Sequence, residues 1–164
     1  MYQFISGYTA KVAGTETGVN EPKATFSACF GAPFLPLHPG KYAEMLGEKL
    51  KSSRANVWLI NTGWTGGAYG TGSRIKLAYT RAMITAALEG KLDKVDFNKL
   101  PTFNLLMPAS CAGVPSEILN PRNTWKDKES YDRQLQVLAR LFTKNFEKYA
   151  VGVSQSVTAA APKI

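Results

Sequence analysis

Residues 61–80 read NTGWTGGAYGTGSRIKLAYT and form the most glycine-rich part of the chain. They follow an apolar run, NVWLI (56–60), and lead into an alanine-rich segment, TRAMITAALEG (80–90). A glycine-rich turn between a strand-like run and a helix-like run is the usual place for a loop that holds phosphate. This stretch therefore decides how the rest of the chain is interpreted.

The loop lacks two residues that a Walker A motif requires. Gly67 and Gly72 have the spacing of the pattern G-x-x-x-x-G, which must be followed by Lys and then Ser or Thr. Ser73 and Arg74 stand at those two positions. The Walker A lysine reaches the outer phosphates and its hydroxyl residue holds magnesium, so magnesium binding in that mode is not expected here.

The segments around the loop alternate between helical and strand-like patterns. Apolar residues at i+3 and i+4 steps predict helices over residues 41–53, 80–90 and 131–149, and the runs 56–60 and 103–108 predict buried strands. This alternation predicts an α/β fold. In such folds ligands bind beyond the carboxyl ends of the strands, and the glycine-rich loop lies at that position.

Two helix ends are also expected. Gly90 is predicted to stop the helix over residues 80–90. Thr124 and Asp127 have the T-x-x-D spacing that predicts a capping box for the last helix.

Three residues after the glycines are candidate ligand contacts, each with an ordinary alternative. Arg74 is suited to stacking on an aromatic base or pairing with a phosphate, and the alternative is a solvated charge. Ile75 either packs on an apolar ligand face or belongs to the core. Thr80 either hydrogen-bonds a ligand or serves as a helix N-cap.

No catalytic centre follows from the remaining residue types. His38, the single histidine, lies between Leu37 and Pro39 without an acidic or nucleophilic neighbour, so a structural role is expected. Cys29 is flanked by Ala28 and Phe30, which predicts an inert buried thiol. One histidine and two separated cysteines do not supply an ordinary zinc site, and the carboxylates form no pair.

Length and composition predict one domain over residues 1–164, because 164 residues with 45% hydrophobic content can bury one core. Twenty Lys and Arg against twelve Asp and Glu give a net charge of +8, which favours anionic partners. No signal-peptide pattern, membrane-length apolar run or C-x-x-C pair occurs, so a reducing, cytoplasmic location with no membrane association is expected.

Several longer words of the sequence resemble the ATP-dependent phosphoenolpyruvate carboxykinase family. They are FSACFG, NVWLINTGWTGG, GTGSRIKLAYTRAMITAALEG and LNPRNTW, and the similarity continues in unbroken order over essentially the whole chain. The resemblance is to the C-terminal part of that enzyme. It implies an α/β fold with a mixed sheet, as the C-terminal portion of the family's nucleotide-binding domain.

The family converts oxaloacetate and ATP to phosphoenolpyruvate, carbon dioxide and ADP in gluconeogenesis, as a decarboxylating lyase that uses magnesium and manganese. The resemblance implies that Arg74, Ile75 and Thr80 contact ATP, and that residues 14–22 are an active-site lid. It places the phosphate loop, the metal ligands and the oxaloacetate-binding arginines in an N-terminal portion outside this chain. No catalytic or metal-binding residue is therefore assigned here, and the chain alone is expected to be inactive.

The loop is then the base-side wall of an ATP site and not a damaged Walker A motif. One departure is that family members commonly have Lys at the position of Ser73. The alternative function is a stand-alone basic module that binds anions or nucleic acid. Against it, the basic residues are scattered and no aromatic RNA-binding signature occurs, so no nucleic-acid partner is expected.

Overall fold

The structure is a computed structural model that describes residues 1–11, 17 and 23–164. In chain order its helices and strands are α1 (Tyr2–Ser6), β1 (Tyr8–Lys11), β2 (Lys23–Phe26), α2 (Pro39–Ser53), β3 (Trp64–Thr65), β4 (Ser73–Arg74), α3 (Leu77–Leu88), β5 (Phe97–Leu100), β6 (Leu105–Pro108), α4 (Ser116–Leu119), α5 (Pro121–Thr124), α6 (Lys128–Phe146) and α7 (Gln155–Thr158). The predicted lid, residues 14–22, lies outside the described residues except for Thr17.

All strand pairs among the described residues are antiparallel. They form three two-stranded ribbons, β1–β2, β3–β4 and β5–β6, and each ribbon joins strands that are neighbours in the chain. The prediction of helices mixed with strands is confirmed. The mixed sheet is not seen in the described part of the chain, because hairpin neighbours pair locally and no crossover brings two strands parallel.

Contacts divide the chain into two compact units, Met1–Asn56 with Val137–Ile164, and Val57–Gln136. The prediction of a single domain over residues 1–164 stays a prediction. The two units are called the terminal unit and the central unit below.

The terminal unit has an aromatic core. Tyr2 stacks on Phe146 with ring centroids 4.1 Å apart, and Phe142 contacts both Tyr8 and Phe26 at 5.2 Å. These residues come from α1, the β1–β2 ribbon and α6, so the aromatic side chains join helix to ribbon. Offset and edge-on aromatic contacts of this kind add about 0.5–1.5 kcal/mol each beyond the area that they bury.

His38 has a structural role, as predicted. It is the N-cap residue of α2, and its Nδ1 accepts a hydrogen bond from the Gly40 amide at 3.1 Å. The bond satisfies one of the backbone donors that every helix start leaves without an intrahelical partner.

The central unit is built around α3. Its buried cluster comprises Ala86, Leu92, Cys111 and Val114, with partly buried Trp58 packed against it. The predicted helix over residues 80–90 is confirmed but begins earlier, at Leu77, and Gly90 follows it with φ of 67° in the left-handed region.

Three details predicted for the central unit are wrong. Residues 56–60 form no strand, because none of them belongs to a strand pair among the described residues. The strand predicted over residues 103–108 is confirmed as β6, but its predicted start and burial are wrong, since it begins at Leu105 and Leu106 on it is 65% exposed. Thr80 does not cap α3, because Lys76 is the N-cap residue and Thr80 lies inside the helix.

The predicted capping box of the last helix is also wrong. The carboxylate of Asp127 accepts hydrogen bonds from the amides of Glu129 at 3.0 Å and Ser130 at 3.2 Å, which is the pattern of an N-cap residue. Thr124 ends α5 instead, and its hydroxyl is bound elsewhere. The helix itself is confirmed over Lys128–Phe146.

Candidate functional site

The glycine-rich loop connects the two strands of a short hairpin in the central unit. Trp64 pairs with Arg74 and Thr65 with Ser73, and the Ile75 amide donates to the Gly63 carbonyl at 2.9 Å. Residues 66–72 form the loop, and the amides of Thr71 and Gly72 both donate to the Ala68 carbonyl. The segment called the glycine hairpin below is residues 63–75.

Two of its glycines are required by the backbone, Gly72 by close approach and Gly66 by its φ. A Cβ on Gly72 would lie 2.5 Å from the Gly67 carbonyl oxygen and 2.6 Å from that of Thr65. Gly66 has φ of 77°, in the region that favours glycine. The hairpin therefore needs glycine at these positions to close on itself, independently of any phosphate.

Arg74 lies at the end of β4 with its side chain exposed. Because directly paired residues of an antiparallel ribbon project to the same face, Arg74 shares a face with Trp64. Trp64 is 36% exposed and meets the Tyr69 ring edge-on at 5.3 Å. In the described part of the chain no carboxylate pairs with Arg74. The face thus presents a cation beside aromatic surface.

Ile75 and Thr80 occupy different positions from Arg74. Ile75 is half-buried where the chain leaves the hairpin, so part of its side chain packs inside the protein and part faces solvent. Thr80 lies on α3, 8% exposed, with its amide bound to the Lys76 carbonyl at 3.2 Å. Lys76, at the start of α3, places its ammonium group 5.7 Å from the centroid of the Tyr79 ring.

Thr124 binds the glycine hairpin, a role that the sequence analysis did not predict. The Thr124 hydroxyl donates to the Pro121 carbonyl at 2.7 Å, accepts from the Gly66 amide at 2.9 Å and lies 2.9 Å from the Thr65 hydroxyl. A signal was present in the sequence, because Thr124 lies in the segment LNPRNTW, one of those that resemble the family. Its threonine was assigned to a helix cap because local spacing does not reveal a contact 58 residues away.

The corner between α5 and α6 is held by charged side chains. The Lys128 ammonium donates to the carbonyls of Arg122 at 2.8 Å, Asn123 at 2.9 Å and Trp125 at 3.0 Å. The guanidinium of Arg122 makes two 2.8 Å hydrogen bonds with the carboxylate of Asp132. These bonds hold the pKa of Asp132 below its usual value and raise that of Arg122.

The two cysteines show no reactive character. Burial raises the pKa of both the Cys29 and the Cys111 thiols, which lowers the thiolate fraction near neutral pH. Cys111 is buried, whereas Cys29 is half-buried and its Sγ lies 3.8 Å from the Pro39 carbonyl oxygen. An inert buried thiol was predicted at Cys29: the direction of its pKa agrees with an inert thiol, whereas the prediction that it is buried is wrong.

Within the described residues, no group of three or more His, Cys, Asp or Glu side chains is placed to hold a metal ion. A cavity of about 290 Å³ lies in the terminal unit, between α2 and the residues around α7. It contains none of the predicted ligand contacts. No helix in the described part of the chain has the length and apolarity to cross a membrane.

The family model described as phosphoenolpyruvate carboxykinase, of the ATP type, matches residues 1–117. This chain belongs to that family, which confirms the resemblance in its sequence.

Curated relatives agree over nearly the whole chain. The phosphoenolpyruvate carboxykinase (ATP) of Christiangramia forsetii is 62% identical over 161 residues, covering 98% of this chain and 30% of the relative. That of Caldanaerobacter subterraneus subsp. tengcongensis is 63% identical, covering 99% of this chain and 31% of the relative, and that of Thermus thermophilus is 60% identical with the same coverage. The chain thus spans about 30% of the length of the curated relatives that it matches.

Proposed function

We propose that this chain is the C-terminal portion of an ATP-dependent phosphoenolpyruvate carboxykinase and forms the adenosine side of its ATP site. The whole protein would convert oxaloacetate and ATP to phosphoenolpyruvate, carbon dioxide and ADP. Membership of the family supports this, as does the name phosphoenolpyruvate carboxykinase (ATP) carried by relatives about 60% identical.

The observation that carries the proposal is the exposed guanidinium of Arg74 beside Trp64. An adenine ring is a flat aromatic surface, and a planar guanidinium stacks on such a surface while keeping its edge free for hydrogen bonds. Because Arg74 lies at the fixed end of a two-stranded ladder, it is presented without first breaking an ion pair among the described residues. Ile75 would add an apolar contact.

Of the three residues assigned to contact ATP, Thr80 is the least accessible to a ligand. Its side chain is nearly buried, so a hydrogen bond from its hydroxyl to a nucleotide requires that the ligand reach the second turn of α3. Arg74 and Ile75 are therefore the residues on which the adenosine contact mainly rests. Thr80 would contribute once a nucleotide covers this surface.

Metal ions belong to other parts of the proposed enzyme. The described residues do not fit a divalent cation, because no group of carboxylate, histidine or cysteine ligands converges. Phosphoryl transfer depends on positioning phosphates and metal, so the chemistry of the proposed reaction is assigned to residues outside this chain. The N-terminal portion, with oxaloacetate and a magnesium or manganese ion bound to it, would supply those groups. A cytoplasmic location and a lid over residues 14–22 belong to the same proposal.

The proposal is tested by calorimetric titration of the chain with Mg-ATP and with AMP. With only the adenosine side contacted, we expect a dissociation constant of about 1 mM, roughly −4 kcal/mol, and AMP should bind about as well as Mg-ATP. Arg74→Ala should abolish the signal. Arg81→Ala is the matched control, because Arg81 is also an exposed arginine of the central unit and its loss changes the net charge equally.

Equal weakening by Arg74→Ala and Arg81→Ala would show that binding follows net charge, and the assignment of Arg74 would be wrong. A much higher affinity for Mg-ATP than for AMP would place phosphate contacts inside this chain. Turnover of oxaloacetate by the pure chain with ATP and metal would contradict the proposal that the catalytic groups lie elsewhere.

A further inference from the structure

The hydroxyl of Thr124 has all its hydrogen-bonding capacity engaged. A threonine hydroxyl has one hydrogen to donate and two lone pairs to accept with. The hydrogen is directed to the Pro121 carbonyl oxygen at 2.7 Å, so the Thr65 hydroxyl must donate to Thr124 over their 2.9 Å contact. The Gly66 amide, also at 2.9 Å, supplies the second accepted bond.

Both accepted bonds come from the beginning of the glycine hairpin. Thr65 is the last residue of β3 and is 9% exposed, and Gly66 is the first residue of the loop. Thr65 pairs with Ser73, and the adjacent pair is Trp64 with Arg74. Fixing Thr65 and Gly66 therefore fixes, through one ladder step, the residue that presents the guanidinium.

Thr124 is itself held in place. It ends α5, whose start is capped by the Asn120 side chain, and the Lys128 ammonium binds the carbonyls on both sides of it, those of Asn123 and Trp125. The two bonds between Arg122 and Asp132 tie the same corner to α6. The position of the Thr124 hydroxyl is therefore fixed, and so are the positions of the Thr65 hydroxyl and the Gly66 amide that bind to it.

We infer that Thr124 is a positioning residue that holds the start of the glycine hairpin and thereby sets the position of Arg74. Thr124 touches no proposed ligand and acts through Thr65 and Gly66. The effect on nucleotide affinity rests on the proposed function, whereas the effect on the hairpin does not.

The test compares Thr124→Val, Thr124→Ser and Thr71→Val by amide hydrogen exchange of residues 63–75 and by titration with Mg-ATP. Valine keeps the shape of threonine but leaves the Gly66 amide and the Thr65 hydroxyl without their partner. Loss of these partners should accelerate exchange at Gly66 and at Ser73, whose amide faces Thr65 in the ladder, by about tenfold or more. Serine should restore the slow exchange, since it keeps the hydroxyl.

Thr71→Val is the matched control. Thr71 lies in the same loop, is exposed, and its hydroxyl binds nothing in the described part of the chain, so its exchange pattern should stay that of the unmodified protein. Mg-ATP affinity should fall about three- to tenfold in Thr124→Val and stay unchanged in Thr124→Ser and Thr71→Val.

Unchanged exchange in residues 63–75 of Thr124→Val, or failure of serine to restore it, would overturn the inference. If Thr124→Val does not fold, Thr65→Val decides, because it removes only one of the two bonds. Faster exchange at Ser73 and Ile75, whose amides face β3, then supports the inference, and unchanged exchange overturns it. If the unmodified chain does not bind Mg-ATP, the proposed adenosine site is wrong, and the exchange comparison still decides the role of Thr124.

Discussion

Gly7 and Gly47, both in the terminal unit, show how differently one residue type is constrained. Gly7 joins α1 to β1 with φ of 57°, and a Cβ built on it would overlap the Ser27 carbonyl oxygen. That carbonyl belongs to backbone whose amide donates to the Gly7 carbonyl, so it has no free direction in which to move. Gly47 lies inside α2, and a Cβ there would meet nothing within 4 Å.

Alanine is expected to have opposite effects at these two glycines. Gly7→Ala should lower the free energy of unfolding by about 3 kcal/mol or more, since both the clash and the left-handed φ oppose it. Gly47→Ala should raise it by about 0.5–1 kcal/mol, because alanine is the better helix former. Urea unfolding of the two variants measures both. Equal effects of the same sign would contradict the local geometry described for Gly7.

At the scale of single elements, the start of α6 depends on a charged cap. Asp127 accepts from two backbone amides and from the Ser130 hydroxyl, and these bonds hold its pKa below the usual value, the hydroxyl contributing most. Asp132, one turn further, is bound by Arg122, which also lowers its pKa. Both groups favour the charged carboxylate in the folded state.

Stability is therefore expected to fall in acid. A carboxylate with a depressed folded pKa stabilises the protein above its unfolded pKa, which is about 4, and the stabilisation is lost as the pH falls through the folded pKa. Thermal midpoints measured between about pH 7 and about pH 3 should drop less in Asp127→Asn combined with Asp132→Asn than in the unmodified chain. Asp127→Asn keeps an oxygen that accepts the amide bonds, whereas Asp132→Asn also removes one of the two acceptors of Arg122, so the quantity compared is the change with pH and not the stability at one pH. Identical pH profiles would contradict the ion-pair and cap assignments.

Residues 56–60 show the limit of an element read from composition. NVWLI has strand composition, and burial alternates along it, with Trp58 and Ile60 half-buried and Leu59 58% exposed. Trp58 packs near Phe97 with ring centroids 6.2 Å apart. What is missing is a pairing partner, since the backbone of residues 57–60 binds no other described residue. A β-strand requires a second strand to pair with, and the residues of a segment do not show whether that second strand is present.

At the scale of the whole molecule, exposed apolar residues are numerous for a chain of this size. Phe34, Leu88 and Val151 are each more than 80% exposed, and Val57 and Leu59 flank Trp58 in a segment whose backbone pairs with no other described residue. Exposed apolar side chains next to backbone groups that pair with no described residue favour association.

Concentration-dependent self-association is the expected result in sedimentation velocity. Leu59→Lys should reduce it more than Val151→Lys, because residues 57–60 offer backbone groups without a described partner as well as apolar side chains. A chain that stays monomeric over the accessible concentration range would contradict this expectation. Equal effects of the two substitutions would point to general hydrophobicity and away from the strand-like segment.

Much of the local structure followed from patterns within about ten residues. The helices over Pro39–Ser53, Leu77–Leu88 and Lys128–Phe146 were predictable because helical periodicity and end signals such as Gly90 are carried by neighbouring positions. The start of α3 was missed by three residues, since Thr80 is a common cap type and Lys76 is not. The position of Arg74, Ile75 and Thr80 after the glycines made them candidate ligand contacts, the resemblance implied that the ligand is ATP, and that contact stays a prediction.

The sequence by itself determined the family, the main helices and the need for glycine in residues 63–72, because each depends on residue order or local backbone geometry. Only the tertiary structure showed that Gly72 is required by the carbonyls of Thr65 and Gly67, and that Thr124 is the anchor of the hairpin. Those contacts join positions whose separation in the chain carries no pattern. The contacts of Gly72 depend on how the hairpin closes on itself, and the bonds of Thr124 exist only because folding brings α5 beside the hairpin.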